Sequence, residues 1–370
     1  MFVLGFLFGG FQLALLSAIN EFQISEAMLG LPVASLFVAY SIMPLIFGSV
    51  SDRTGKKPIF LIFMIVFIAG CISVWFSGST LQFLIGIFII GTGSSVTECS
   101  LNASVSDVFK GEEEKYLNYT AGFGSAGAVA APIILQALMD NLFVSWRFVF
   151  LICAVTMVVC VPALLLVRTS PAPHVRQLKQ KYILDKPRLF FGFAVCLFIY
   201  VSVETCLSFF ADAVFTLELN SPSLGALAIS FYWGSMGIGR IVFGRLKKIP
   251  KNATEISFFC LAIVIIAIAF VRHDIIMLVL FLLSGFASSC IWPGVMNAAF
   301  SLNRNASGAL ISYLNLGVGI GGAVVPLAIG AIMDKVNMTV SFLLLTVISA
   351  IAGIYMLKNS RKALDTERET

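Results

Sequence analysis

Charge is scarce in this sequence. Of 370 residues only 12% are charged, while 59% are hydrophobic. An ordinary soluble domain carries about 25% charged residues. Too few polar side chains remain to cover a water-exposed surface, and the mean hydropathy is +0.99. A water-soluble enzyme, a disordered chain and a nucleic-acid binder are therefore excluded. Histidine is nearly absent: His174 and His273 stand alone in or beside polar connections, so no histidine-rich metal site can form. The eight cysteines all lie inside apolar runs and none forms a CxxC pair. That argues against a disulfide framework or a zinc site and for small hydrophobes. No catalytic constellation and no cofactor motif is present, so the sequence reads as neither an enzyme nor a cofactor or metal protein.

What is abundant is long apolar runs. A spanning helix needs about 20 mostly apolar residues. Twelve such runs occur, near 2–19, 28–50, 58–77, 80–107, 116–138, 144–167, 189–214, 224–243, 254–271, 275–301, 306–332 and 337–357. Only helices or closed barrels satisfy their backbone in lipid. The expected fold is an all-α polytopic membrane protein with twelve transmembrane helices. The first run starts at Met1 with no charged leader and is followed by a polar connection, not a small-residue cleavage site, so it reads as a span.

Cation placement orients the bundle. With both termini cytoplasmic, the outer segments hold only Arg147, Arg272 and Lys335; Arg240 lies inside a helix, and every other Lys and Arg falls on the inner side. That asymmetry follows the positive-inside rule. The longest polar connection, Arg168–Pro187, carries Pro171, Pro173, Pro187 and a cation cluster. It splits six runs from six. The expected organisation is an N-terminal six-helix half (1–168), a cytoplasmic linker (169–187), a C-terminal half (188–357) and a cytoplasmic tail (358–370).

The local motifs point to one family. Gly48-Ser49-Val50-Ser51-Asp52-Arg53-Thr54-Gly55-Lys56-Lys57, between the second and third runs, resembles the GxxxDRxGRR signature of the major facilitator superfamily. The fourth run carries Gly91-Thr92-Gly93 and, further on, Glu98 and Asn102, similar to the GxGxxxLExxxN element of the fucose–galactose–glucose proton symporters. The seventh carries Tyr200, Glu204 and Thr205, like their YxGxET element, with Ser202 in place of the glycine. The eighth, Ser230 to Arg245, resembles their SFFWxGxxxGRxxxG stretch, and Trp292-Pro293 and Gly321-Gly322-Ala323 with Pro326 resemble later elements. The closest likeness is to bacterial glucose/mannose–proton symporters. The resemblance implies two pseudo-symmetric six-helix halves with substrate near the midplane. It also implies a helix-1 carboxylate in the fucose-specific members, where this chain has Gln12. Drug antiporter marks are missing: Ile87 stands where an arginine is usual, and Gly127 and Pro132 are not adjacent.

Intramembrane polar residues are costly, at least ~2.5–3.5 kcal/mol for a charge at the bilayer centre on insertion scales. Glu98 and Glu204 are the candidate proton-coupling groups; the plain alternative for each is a structural hydrogen bond to a neighbouring helix. Candidate solute-lining residues are Gln12, Asn102, Gln136, Tyr200, Trp233, Trp292, Asn297 and Asn315, each open between cavity and helix packing. Gly48, Asp52, Arg53, Gly55, Lys56 and Arg240 are the candidate cytoplasmic gate. Asp212 reads as interfacial, with a gate role open, and Trp75 and Trp146 as interfacial belt residues. The overall reading is an inner-membrane secondary transporter, monomeric, that imports a small polar solute, a hexose by resemblance, with a proton. Its partners are that solute, the proton and the lipid bilayer, with no nucleic acid. Export by the same fold is the second reading. A non-transporting sensor is the third, disfavoured by the lack of a long cytoplasmic domain.

Overall fold

A computed structural model describes residues 1–25, 28–54, 56–109, 113–166, 186–245, 252–302 and 307–369. Among them there are helices and turns and no strand. Eleven helices are long and apolar enough to cross a membrane; the remaining run is Phe148–Leu166, whose apolar stretch Phe148–Pro162 is shorter. The protein is thus a multi-pass helical membrane protein. Its outward faces carry unpaired large hydrophobes such as Ile65, Val159 and Ile263, each more than 60% exposed. A water-soluble fold does not tolerate such a surface, and a lipid-facing one requires it.

The chain forms two compact units, Met1–Ser25 with Leu31–Leu178, and Glu26–Gly30 with Lys179–Thr370. The first holds α1 (Phe2–Glu21), α2 (Gly30–Thr54, almost entirely), α3 (Lys56–Trp75), α4 (Thr80–Val108), α5 (Glu113–Leu142) and α6 (Phe148–Leu166). Here α1 packs on α5 and α6, and α3 on α4 and α6. The second holds α7 (Pro187–Phe209), the single turn α8 (Ala211–Ala213), α9 (Gly225–Arg245), α10 (Ala253–Phe270), α11 (Asp274–Ser288), α12 (Ile291–Phe300), α13 (Ser307–Lys335) and α14 (Met338–Glu369). Here α7 packs on α13 and α14, and α10 on α11 and α14. Counting spans within each unit, the same pairs recur: first with fifth and sixth, third with fourth and sixth. That repetition is the internal pseudo-symmetry expected of two six-helix halves.

Close approach explains the glycines. A Cβ on Gly9 of α1 would run into the Ala128 carbonyl oxygen of α5. Small residues at this seam let two backbones touch, which is how helices associate without a hydrophobic driving force.

Three runs differ from a plain reading of the sequence. The segment around Gly48–Thr54 is not a loop: α2 continues through Thr54 and α3 starts at Lys56. Nothing between Gly48 and Thr54 lacks a backbone donor or forces a left-handed turn, so the helix persists beyond the apolar stretch. The tenth run, 275–301, is two helices that meet at Ser289–Cys290. Pro293 supplies no backbone N–H there, and the hydroxyls of Ser288 and Ser289 bond back to the Ser284 and Phe286 carbonyls at 2.8 and 2.7 Å. The seventh run ends its regular helix at Phe209 and passes into a π-helical turn, Val214–Glu218.

Candidate functional site

Each unit places one tyrosine hydroxyl on one intramembrane carboxyl. In the first, Tyr40 of α2 donates to Glu98 Oε2 of α4 at 2.6 Å. Phe8 of α1 meets the Tyr40 ring edge-on at 5.5 Å, and Phe37, one turn earlier on α2, flanks it at 6.2 Å. In the second, Tyr200 donates to Glu204 Oε1 at 2.9 Å, one helical turn along α7. Both carboxyls lie within apolar spans, and both are half-buried. A charge there is expensive unless partnered, and in each pair the tyrosine hydroxyl supplies a partner.

Around Glu204 the second unit gathers more groups. Trp292 of α12 approaches Tyr200 edge-on at 6.4 Å. Tyr232 of α9, fully buried, shares a hydrogen bond with Ser288 of α11 at 3.4 Å and stacks edge-on against Trp233 at 5.8 Å. The Arg240 guanidinium is close enough to act electrostatically on Glu204, Tyr200 and Tyr232. Tyr200, Glu204, Trp292 and Arg240 therefore belong to one neighbourhood of aromatic faces, a carboxyl and a cation, with Trp233 at its edge. Aromatic walls with a few directed polar groups suit a small polar solute.

The other expected lining residues are less concentrated. Gln12 is completely buried in α1. Asn102 is half-buried, one turn beyond Glu98 on α4. Gln136 is half-buried on α5 and donates to Asp140 Oδ1 at 2.8 Å. Asn297 is exposed on α12, and the Asn315 side chain lies outside the described residues. Asp212 is buried against Gly225, where α9 begins.

In the candidate gate, Lys56 donates to the Ala103 carbonyl of α4 at 2.9 Å, which ties the start of α3 to the C-terminal part of α4. Gly48, Asp52 and Arg53 are helical, but their side chains lie outside the described residues, as does Gly55 altogether. The connection 169–187 likewise lies outside them through residue 185.

One expectation is corrected. Trp146 is not a belt residue: it is 5% exposed and donates from its indole nitrogen to Glu21 at 2.7 Å. Its neighbour Arg147 reaches both oxygens of the same carboxylate from Nη1 at 2.6–2.7 Å, donates from Nη2 to the Ser77 carbonyl at 2.9 Å and stacks on Trp146 and Phe22. The sequence places both residues at the start of a span, and a tryptophan there reads the same whether it faces headgroups or a carboxylate. Sequence reasoning also missed Tyr40 and Tyr232, whose hydroxyls stand out only as lone polar groups in apolar runs. It missed Glu255 as well, 2% exposed at the start of α10 and bonded by Ser360 of α14.

A repeated six-helix unit with an intramembrane carboxyl in each copy defines a class, the polytopic solute transporters. Comparison makes the assignment specific: the sequence profile of the Major Facilitator Superfamily matches residues 1–272 and 193–370. The chain belongs to this superfamily. It is a membrane transporter of small molecules, and not an enzyme. A glucose/galactose transporter of Brucella abortus is 24% identical over 92% of this chain and 88% of its own length. A glucose/mannose transporter of Bacillus subtilis is 22% identical over 66% of this chain and 63% of its own. The solved fucose:proton symporter of E. coli superposes with a TM-score of 0.67 at 18% identity, covering 98% of this chain and 97% of that one.

Proposed function

We propose that this chain takes up a hexose together with a proton across the cell membrane by alternating access, with both termini cytoplasmic and the chain working as a monomer. The observation that carries the reading is the pair of tyrosine-bonded carboxyls, Glu98 and Glu204, one in each six-helix unit. A carboxyl that is neutral when loaded and charged when exposed to water is what proton coupling requires. The hexose specificity rests on the named sugar transporters that the chain resembles over most of its length. In this scheme Tyr200, Trp233 and Trp292 give the sugar an apolar face, and Gln12, Asn102, Gln136, Asn297 and Asn315 supply its hydrogen bonds. Gly48, Asp52, Arg53, Gly55, Lys56 and Arg240 serve the cytoplasmic gate. The division into halves at 168 and 188, with 169–187 as a cytoplasmic linker and 358–370 as a cytoplasmic tail, belongs to the same proposal.

The test is uptake of labelled sugars into proteoliposomes with and without a pH gradient. Accumulation of a hexose that depends on an inward proton gradient supports the reading. Downhill-only movement of every sugar would remove the proton coupling, and gradient-driven efflux of an amphipathic drug would replace uptake with the export reading.

A further inference from the structure

The two carboxyl pairs are built differently. Tyr200 and Glu204 sit on one helix, whereas Tyr40 and Glu98 join two. One stripe of α4 carries three contacts with α2. Leu84, Gly91 and Glu98 are spaced seven residues apart, so they lie on one face, about 10 Å from each other along the axis. At Leu84, Ser35 of α2 donates to the carbonyl at 2.8 Å. At Gly91 the two helices touch: a Cβ there would stand 2.6 Å from the Leu36 carbonyl oxygen and 3.0 Å from Ala39 Cβ. At Glu98, Tyr40 donates at 2.6 Å. The arrangement is a pivot with one tie on either side. The outer tie uses a carbonyl and ignores protons. The inner one ends on an acid.

We propose that Tyr40 is the positioning residue through which the charge on Glu98 sets the tilt of α2 against α4, with Gly91 as the pivot. The proposal rests on Glu98 being the coupling group. A hydrogen bond to an ionised carboxylate is roughly twice as strong as one to a neutral acceptor. When Glu98 takes a proton, the inner tie drops to a neutral bond and the hold on α2 weakens on that side, where Met43, Phe47 and Val50 still pack on the cluster of Ile59, Phe63 and Val96. The ring cannot swing away to follow the carboxyl, because Phe8 and Phe37 flank it. Motion must then come from α2 itself. That helix can give it: the packing of Met43, Phe47 and Val50 on the Glu98 side is apolar, and apolar contact is non-directional. The ionisable groups that face Glu98 are Tyr40 from α2 and the amino group of Met1 at the start of α1; Cys160 of α6 faces that amino group in turn. No other titratable group from the elements packed around Glu98 acts on it among the described residues.

The experiment is a spin-label distance between Leu45→Cys on α2 and Val108→Cys on α4, in the full chain with its native cysteines replaced, at mildly alkaline and mildly acidic pH. Uphill uptake and exchange are measured on the same proteins. Unmodified at position 40, the distance should change with pH. Tyr40→Phe removes only the hydroxyl; its distance should be the acid-side one at both pH values, and its ratio of uphill accumulation to exchange should fall about tenfold. Tyr200→Phe and Ser35→Ala, which leave the inner tie intact, should keep the pH-dependent distance. A Tyr40→Phe protein whose distance still follows pH would overturn the proposal. So would a Ser35→Ala protein whose distance no longer does. Glu98→Gln separates this from the parent reading: if it retains uphill accumulation, Glu98 is not the coupling group and that reading fails, whatever Tyr40 does.

Discussion

Replacing Arg147 with methionine should loosen the end of the first six-helix unit where α1 ends and α6 begins. The guanidinium closes three things at once: it pairs with Glu21 at the end of α1, bonds the Ser77 carbonyl in the connection before α4, and stacks on Trp146 and Phe22. Its side chain is 15% exposed, but that of Glu21 is 45% exposed. The ion pair must therefore be discounted for solvent, to about 0.5–1 kcal/mol. Each cation–π contact adds about 0.5–1 kcal/mol, and the bond to the Ser77 carbonyl about 1 kcal/mol. These terms are not additive, and together they amount to roughly 2 kcal/mol. At about 2–4 °C per kcal/mol for a unit of this size, the apparent Tm of the detergent-solubilised protein should fall by roughly 4–8 °C. Methionine keeps the apolar stem, so the loss is of charge and hydrogen bonds and not of packing. The assay is thermal unfolding followed by tryptophan fluorescence, since Trp146 sits in the cluster. A double-mutant cycle with Glu21→Gln isolates the pair, and its coupling should shrink as salt is raised, because exposed charges are screened. Arg272 is the internal control. Among the described residues it bonds neutral oxygens, those of Ala269, Val271 and Thr339, so Arg272→Met should cost less than half as much. Equal Tm values for Arg147→Met and the unmodified protein would refute the view that this cluster holds α1, α4 and α6 together.

Other predictions concern the remaining buried contacts. Ser360→Ala removes the hydroxyl that bonds the buried carboxyl of Glu255, which should cost about 1–3 kcal/mol, read as a lower Tm. Gly9→Ala sets a methyl against the Ala128 carbonyl across the α1–α5 seam; overpacking of about 1–3 kcal/mol should appear as reduced Tm and yield of folded protein. A cysteine introduced at Leu178, in the central polar connection, should react with an impermeant maleimide only from the cytoplasmic side; labelling of intact cells would reverse the proposed orientation.

Much of the fold was legible because bilayer thickness imposes a length that composition alone reveals. Twenty apolar residues between polar connections can do little else in lipid, and the count of runs set the two-unit plan. The interruptions were less visible. Pro293 begins α12, but the prolines Pro44, Pro132, Pro162 and Pro326 all lie inside continuous helices. A proline in an apolar run therefore does not by itself decide between a break and a kink. The helix through Asp52 and Arg53 was hidden for the opposite reason: polar residues after an apolar run mark the membrane surface, not the helix end. At the site, Glu98, Glu204 and Arg240 stood out as rare intramembrane charges. Tyr200 was visible because it shares a helix with Glu204 at one-turn spacing. Tyr40 was not, since its partner lies 58 positions away on another helix, and which helix faces meet is fixed by tertiary packing. The cluster of Glu21, Trp146 and Arg147 was hidden in the same way.

The most direct test of the account is accumulation driven by a proton gradient in proteoliposomes containing either the unmodified protein or Glu98→Gln. With one proton per sugar, each unit of pH gradient is worth about 1.4 kcal/mol, or about tenfold accumulation. The unmodified protein should therefore concentrate its hexose up to about 100-fold across a gradient of about two pH units. Glu98→Gln keeps an acceptor for Tyr40 but cannot cycle a proton; it should equilibrate the sugar at a ratio near one while still exchanging labelled for unlabelled sugar. Undiminished accumulation by Glu98→Gln would contradict the account.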